Sequence, residues 1–368
     1  MSIKEIVQKI DWLLVIAVFA LVFFGLMLIY SATYNYAQTA QSWHMQRQIV
    51  FFIIGVALTG CSLAFDYRGL KQYMTYIYGV NVLMLLVVMF FGHSQLGAQR
   101  WLQISSFSFQ PSEFSKLFMI VCLAAFMEHR IEWLEDFADY IKVFGFIFIP
   151  FILVLRQPDL GTSLCLIAIL LGMIFISGFR YEWMIKVVIS LLALAPAIWN
   201  FVLQDYQKSR IMVFLNPEID PFGSGYHVIQ SKIAIGSGSW FGKGWLAGTQ
   251  SQLNFLPENH TDFIFAVAGE EFGFIGVSVI LFLYAIIIWR GIRIALKAED
   301  NFGVLLAVGI TSMFMFHILV NIGMTIGIMP VTGVPLPFLS YGVSSLLTNI
   351  MGVALLLNIS ARNVKLKF

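Results

Sequence analysis

The run LGTSLCLIAILLGMIFISG, from Leu160 to Gly178, decides the fold class because it contains no charged residue. The hydrocarbon core of a bilayer needs about 20 consecutive, mostly apolar residues in a helix. A second uncharged run, FGFIGVSVILFLYAIIIW from Phe272 to Trp289, has the same character. Runs of this length and composition indicate an integral membrane protein.

The composition of the whole chain also indicates a membrane protein. Of 368 residues, 11% are charged and 59% are hydrophobic, and the mean hydropathy is +0.85. Soluble domains average about 25% charged and 45–50% apolar residues, so a soluble globular protein, a disordered chain and a nucleic-acid binder are excluded. The three cysteines lie in apolar runs without CxxC spacing and are interpreted as small apolar side chains.

Similar apolar segments follow one another along the chain and predict an all-α, polytopic membrane protein with about ten transmembrane helices in a single domain, 1–368. The predicted helices are 12–31, 48–65, 73–92, 112–128, 141–156, 160–178, 184–204, 262–289, 303–328 and 340–361.

The basic residues predict the orientation of these helices. With the N-terminus inside, most of the 22 lysines and arginines fall in inner loops or at the two ends of the chain, as the positive-inside rule requires. Both termini are therefore predicted to be cytoplasmic. The long loop 205–261 is then outside. Its segment 226–235 is typical of a short helix, either on the membrane surface or packed on the bundle.

Charged residues gather at the outer ends of the predicted helices, where ionisable groups are costly and are functional hypotheses by default. The first group contains Arg100 and, further along the chain, Glu113 and Lys116. Pro111 and Ser112 mark a helix start, and Glu113 and Lys116, three residues apart, share one face of that helix. The pair is either an ion pair at a helix start or a cation held in place for an anionic substrate.

Two aspartates form the next groups. Asp159 follows Arg156 in a tight turn between two apolar segments; helix capping explains Asp159 but not Arg156. Asp262 opens a helix directly after Thr261, and either residue is suited to cap it. An aspartate that is partly desolvated at the membrane edge would have a raised pKa and could act as a general base.

The segment PVTGVPLPFLSYG, from Pro330 to Gly342, is predicted to be extended because prolines interrupt it. Non-helical backbone near membrane depth must be buried in protein or line a cavity. Ser340 is predicted to cap the last helix. Deeper in the apolar segments, Glu270 and Glu271 are interpreted as buried structural partners and His317 as a packing residue.

These observations predict a cavity at the outer face whose rim carries both cations and carboxylates. Cations suit a phosphate or pyrophosphate group, a lone carboxylate suits deprotonation of a hydroxyl, and the lipid-facing sides admit a substrate with a long tail. A lipid-phosphate-linked substrate, either processed or moved, is therefore expected. The rim residues are Arg100, Glu113, Lys116, Arg156, Asp159 and Asp262.

At these same residues the chain resembles the SEDS family (shape, elongation, division, sporulation), from the first predicted helix to the last. The matching stretches are GAQRWL (97–102), FQPSE (109–113), QPDLGTS (157–163), GYHVIQSKIAIGSG (225–238), GKGWLAGTQSQLNFLPENHTDFIFAVAGEEFG (242–273) and PLPFLSYG (335–342). The form GTQSQLNFLPE is similar to the elongation branch. Val343 departs from the glycine that often follows SYG in the family.

The resemblance implies a peptidoglycan glycosyltransferase that polymerises lipid II into β-1,4-linked glycan strands. It implies that Asp262 is the general base, that Lys116 and Arg100 bind pyrophosphate, and that Glu113 orients Lys116. Asp159 would shape the cavity wall or contact sugar. The substrate-binding set also includes His260 and Ser340. A divalent cation, Mg²⁺ or Mn²⁺, would assist the leaving pyrophosphate, although no residue pattern in the sequence demonstrates a metal site.

The resemblance also implies partners and a location. The substrates would be lipid II and the undecaprenyl-pyrophosphate-linked glycan. The protein partners would be a class B penicillin-binding protein and other membrane proteins of the elongation machinery. The site would face outward from the bacterial cytoplasmic membrane. Two alternatives stay open, namely a lipid II flippase and a non-catalytic scaffold. The charged motifs lie at the outer face alone, which favours an enzyme over a flippase.

Overall fold

The computed structural model describes residues 8–34, 38–95, 98–104, 107–128, 137–178, 186, 189, 193, 196, 199–200, 203–221, 223–253 and 255–362. Its long helices are α1 (Trp12–Ala32), α2 (Gln38–Ala64), α3 (Met74–Phe91), α4 (Pro111–Glu128), α5 (Phe137–Arg156), α6 (Leu160–Ile176), α10 (Ile264–Lys297), α11 (Asn301–Ile326) and α12 (Val343–Arg362). The shorter helices, α7 to α9, lie between α6 and α10.

A multi-pass membrane fold is confirmed. Within the described residues, nine of the ten predicted segments are helical, and six helices are long and apolar enough to cross a membrane. The predicted seventh helix, 184–204, lies mostly outside the described residues, so the total number of spans stays a prediction.

The helices α11 and α12 form the buried centre of the bundle. The surrounding helices leave large apolar side chains exposed, such as Phe90 on α3, Phe175 on α6 and Phe282 on α10. Exposed side chains of this kind suit contact with lipid tails. Lipid is as apolar as these side chains, so helix association depends on close packing and hydrogen bonds rather than on transfer from water.

Ion pairs close one end of the bundle. Asp11 caps α1 by accepting from the Leu14 amide at 3.2 Å, and it also accepts from Arg290 Nε at 2.6 Å. Arg68 donates to Glu299 at 3.0 Å at the same end. This is the end that the sequence predicts to be cytoplasmic.

At the other end, the all-α prediction omits a small antiparallel sheet. The sheet consists of β1 (His93–Gln95), β2 (Ala98–Ile104) and β3 (Phe107–Phe109), paired in the order β1-β2-β3. It connects α3 to α4 and carries Arg100 on its middle strand. Strands β1 and β3 have three residues each, too few for the sequence pattern to separate them from a loop.

The long loop 205–261 contributes α7 (Asp205–Leu215), a 3₁₀ turn at Pro217–Ile219, α8 (Ser224–Ser237) and the short α9 (Thr249–Gln252). Helix α8 packs against α10 and α11, and Ser231 Oγ donates to the Thr325 carbonyl at 2.7 Å. Segment 226–235 was predicted to form a helix either on the membrane surface or packed on the bundle, and the structure supports the second alternative.

Helix α10 is broken at Gly273, which the sequence prediction missed. Gly273 has φ +63° and ψ −162° in the middle of the helix, a conformation that side-chain-bearing residues rarely adopt. The break leaves backbone groups on both sides without their helical partners. Such groups cost several kcal/mol each when they are buried at membrane depth without a hydrogen bond.

The loop that precedes the site supplies the missing partners. The amides of Lys243 and Gly244 donate to the carbonyls of Glu270 and Glu271, both at 3.0 Å. The amide of Phe274 donates to the Ser239 carbonyl at 2.9 Å, and that of Ile275 to the Trp240 carbonyl at 3.1 Å. The loop 239–244 and the broken helix therefore form one hydrogen-bonded unit.

Replacing Gly273 with alanine tests this unit. A Cβ at Gly273 would lie 2.3 Å from the Gly242 amide nitrogen, and the positive φ adds strain, so the variant should unfold more easily by about 1–3 kcal/mol. Thermal unfolding in detergent measures the loss. Gly79→Ala on α3 is the control, because a Cβ there meets no atom within 4 Å. Equal melting temperatures for the two variants would contradict the account.

Candidate active site

Two irregular segments meet at the end of the bundle that carries the sheet. The turn 257–263 precedes α10, and the segment 327–342 joins α11 to α12. The hydroxyl of Ser340 donates to the Thr261 carbonyl at 2.6 Å and accepts from the Leu336 amide at 2.8 Å. The Tyr341 amide donates to the His260 carbonyl at 2.9 Å. The two segments are thus held together through their backbones.

The prediction that Ser340 caps the last helix is wrong. Helix α12 begins at Val343, and the Ser340 hydroxyl is engaged with the two segments. Asn321 on α11 completes the junction, because its Nδ2 donates to the Asp262 carbonyl at 2.9 Å and to the Val334 carbonyl at 2.7 Å. Asn321 lies inside an apolar span, and no motif in the sequence marks it as part of a site.

Asp262 is half-buried, and its carboxylate is not used as a helix cap. The prediction that Thr261 or Asp262 caps α10 is wrong, since Phe263 occupies the cap position without a side-chain hydrogen bond. The Thr261 hydroxyl donates instead to Glu258 Oε2 at 3.0 Å. Within the described part of the chain, the Asp262 carboxylate accepts no hydrogen bond and is available for chemistry.

The surroundings of Asp262 shift its titration towards neutrality. The pKa of Asp262 is raised from 3.8 to about 6, chiefly by burial and next by the nearby negative charge of Glu258. The positive charges of Arg100 and Arg210 act in the opposite direction and lower it. A carboxyl group with a pKa near 6 is ionised at neutral pH and is basic enough to accept a proton.

Arg100 and Arg210 approach this site from different elements. Arg100, on β2, places Nη1 at 3.7 Å from Asp159 Oδ1. Arg210, on α7, lies among side chains that are otherwise apolar. Burial, followed by the charge of Arg100, lowers the pKa of Arg210. No pattern in the sequence indicates a role for Arg210, because its neighbours in space are distant in sequence.

Asp159 is confirmed as the N-cap of α6 and also ties that helix to α4. Its Oδ1 accepts from the Thr162 amide at 3.1 Å. Its Oδ2 accepts from Ser112 Oγ at 3.0 Å and from Gln110 Nε2 at 3.2 Å. The side chain of Arg156 is exposed and takes no part in this network.

Glu113 and Lys116 form the predicted ion pair, with Lys116 Nζ at 2.9 Å from Glu113 Oε1. Both side chains are buried. Lys116 Nζ also lies 3.0 Å from His317 Nε2 on α11. His317 is therefore more than the packing residue that the sequence suggested, since it contacts a buried charge.

His260 lies among aromatic rings. Its ring centroid is 5.2 Å from that of His44 and 5.8 Å from that of Tyr341. Burial and the adjacent His44 lower the pKa of His260 to about 4. The imidazole is therefore neutral at physiological pH.

Glu270 and Glu271 are confirmed as buried structural partners. Glu270 Oε1 accepts from Lys243 Nζ at 2.7 Å and from the Gln250 amide at 2.9 Å. Glu271 accepts a hydrogen bond from Ser31 Oγ on α1. These bonds anchor the loop in front of Asp262. Among the described residues, no group of three or more His, Cys, Asp or Glu side chains is arranged to hold a metal ion.

Comparisons with known proteins identify what this arrangement resembles. The family model described as "Cell cycle protein", covering FtsW, RodA and SpoVE, matches residues 11–365. Peptidoglycan glycosyltransferase MrdB of Escherichia coli K12 is 41% identical over 90% of each chain. Peptidoglycan glycosyltransferase RodA of Treponema pallidum is 34% identical over 97% of this chain and 99% of its own.

A solved structure agrees with these relatives. It describes a peptidoglycan synthase complex in which polymerization and crosslinking are coordinated. The matching chain has a TM-score of 0.83 and 31% sequence identity, over 97% of this chain and 99% of its own.

The network around Asp159 yields a stability prediction. Asp159→Ala removes the cap of α6 and leaves Ser112 and Gln110 without their acceptor, so stability should fall by about 2 kcal/mol or more. Thermal unfolding in detergent measures this fall. Asp205→Ala, an exposed residue at the start of α7, is the control. A melting temperature for Asp159→Ala equal to that of the control would contradict the bridging role.

Proposed function

The chain belongs to this family of cell cycle proteins, and we propose that it is a peptidoglycan glycosyltransferase that polymerises lipid II during cell elongation. The observation that carries the proposal is the Asp262 carboxylate, which is half-buried, accepts no hydrogen bond within the described residues and is influenced by Arg100 and Arg210. Displacement of a pyrophosphate from a sugar requires a base for the attacking hydroxyl and cations for the leaving group.

In the proposed reaction, Asp262 accepts the proton of the acceptor 4-hydroxyl. The hydroxyl oxygen forms a bond to the anomeric carbon of the donor sugar as the bond between that carbon and the pyrophosphate oxygen breaks. The pyrophosphate leaves with the bonding electron pair and stays attached to its undecaprenyl chain. Because the pKa of Asp262 is about 6, the residue can release this proton again at neutral pH.

We assign the pyrophosphate to Arg100 and Arg210. Guanidinium groups bind phosphate through paired, charge-assisted hydrogen bonds, and the residual repulsion between these two cations would be relieved by an anion. The side chains beside Arg210, namely Val213, Phe214 and Val228, are apolar, as suits contact with a ligand whose charged group is attached to a hydrocarbon chain.

Lys116 is still proposed to bind substrate, but few of its hydrogen-bond donors are available. An ammonium has three N–H donors, and the contacts to Glu113 and His317 occupy two of them. One donor remains for a phosphate oxygen. Glu113 is proposed to orient Lys116, and Asp159 to shape the cavity wall beside Arg100.

His260 and Ser340 are proposed to act at the same site. The neutral His260 ring is proposed to contact a sugar, whereas Ser340 holds the backbone in front of Asp262. A divalent cation, Mg²⁺ or Mn²⁺, at the pyrophosphate stays a prediction. The proposed reaction is described through the protein's own groups.

We further propose that the site faces outward from the bacterial cytoplasmic membrane and that a class B penicillin-binding protein crosslinks the product. The lysines and arginines that the sequence places at the opposite end of the bundle support this orientation. The similar synthase complex that couples polymerization to crosslinking supports the partner. A flippase is less well supported because it needs a path for the headgroup at both faces, whereas the charged motifs lie at one face. A scaffold is less well supported because it needs no carboxylate that can accept a proton.

The proposal is tested by Asp262→Asn, which preserves shape but removes the base. Purified protein with its partner should convert labelled lipid II into glycan polymer, and the variant should lose at least about a hundredfold in rate. Asp205→Asn, an exposed acid on α7, should retain the activity of the unmodified protein. Polymer formation by Asp262→Asn at the unmodified rate would exclude this residue as the base.

The pH dependence supplies a second test. The active form of Asp262 is the carboxylate, so kcat/KM should rise with pH up to about 6 and then level off. Removing the negative charge of Glu258, which raises the pKa of Asp262, should move this midpoint to lower pH. Rate profiles for the unmodified protein and for Glu258→Gln measure the shift. An unchanged or higher midpoint in Glu258→Gln would contradict the electrostatic account.

A further inference from the structure

The Lys116 ammonium lies between two acceptors on different helices. Nζ is 2.9 Å from Glu113 Oε1 on α4 itself and 3.0 Å from His317 Nε2 on α11. The exposed fractions of Lys116 and His317 are both 1%. A buried charge without partners is strongly destabilising, so each of these contacts matters to the position of Lys116.

The chemistry of the contact defines the state of His317. An ammonium carries donors alone, so Nε2 must be the acceptor and the imidazole must be neutral, with its proton assigned to Nδ1. Within the described residues, His317 Nδ1 has no hydrogen-bond partner. The bond to Lys116 is thus the one polar contact that the His317 ring makes there.

Helix α11 connects this contact to the proposed base. Asn321 follows His317 by four residues, and side chains at this spacing lie on the same helix face. Its Nδ2 donates to the backbone carbonyl of Asp262 at 2.9 Å. One face of α11 therefore holds the buried ammonium at one position and the backbone of Asp262 one turn later.

From this arrangement we infer that His317 is a positioning residue for the transferase reaction. Its Nε2 fixes Lys116 relative to Asp262, so that the remaining N–H of Lys116 meets the pyrophosphate while Asp262 meets the acceptor hydroxyl. The inference rests on the proposed function. A histidine that only fills space would need no acceptor at Nε2, which separates the two roles experimentally.

Three substitutions at His317 differ in the acceptor they offer. His317→Gln can place its amide oxygen near the position of Nε2, whereas the shorter His317→Asn cannot reach it, and His317→Leu has no acceptor. Gln should retain most of the rate of polymer formation. Asn and Leu should lower kcat/KM by about ten- to a hundredfold, the range expected for a lost hydrogen bond to a charged group. His317→Gln and His317→Asn are both polar amides and differ in whether their oxygen reaches Lys116. A difference in rate between them therefore reports the lost acceptor rather than a change in polarity.

A double-mutant cycle with Lys116→Met tests whether His317 acts through Lys116. In the Lys116→Met background, His317→Leu should cause no further loss, because the two residues act as one unit. Thr311→Val, which removes a buried hydroxyl bonded within α11 to the Ala307 carbonyl, should leave the rate unchanged. Melting temperatures measured alongside identify any loss due to unfolding.

Two results would overturn the inference while leaving the proposed function intact. One is an active unmodified protein with equal rates for His317→Gln, His317→Asn and His317→Leu. The other is a His317→Leu loss of the same size with and without Lys116. An unmodified protein that makes no polymer would overturn the proposed function, and the inference with it.

Discussion

Backbone polar groups at membrane depth must find partners inside the protein, and this constraint shapes the whole site. The chain leaves helical geometry at Gly273 and again between Gly327 and Gly342. Loop amides and carbonyls bind the broken ends of α10, while Asn321 and Ser340 bind the second segment. The same bonds that satisfy the backbone therefore hold Asp262 in place.

The hydrogen bonds of the neighbouring acidic residues leave the Asp262 carboxylate available to accept a proton. Each acidic group near the site except Asp262 is committed to a structural contact: Glu113 to Lys116, Glu258 to Thr261, and Asp159 to α4 and α6. Asp262 alone in this set has a carboxylate without a hydrogen bond in the described structure. The other three acidic residues therefore build the cavity, and Asp262 is the one that can exchange a proton with a substrate.

The sequence predicted features with a local cause and missed those with a tertiary one. The apolar runs, the helix start at Pro111 and the cap by Asp159 follow from nearby residues, and the structure confirms them. The break at Gly273 depends on a loop about 30 residues earlier, although glycines at 242, 244 and 273 were a signal that could have been read. The roles of Arg210 and Asn321 depend on neighbours that are distant in sequence. Ser340 was wrongly predicted to cap the last helix because its hydroxyl donates to a distant residue, Thr261.

The fold keeps the Asp262 carboxyl partly out of water and ready to accept a proton. Infrared difference spectroscopy of the substrate-free protein, with Asp262→Asn subtracted, isolates the carboxyl band of this one residue as pH is varied. The account predicts a titration midpoint near pH 6. A midpoint at the ordinary aspartate value of 3.8 would contradict it.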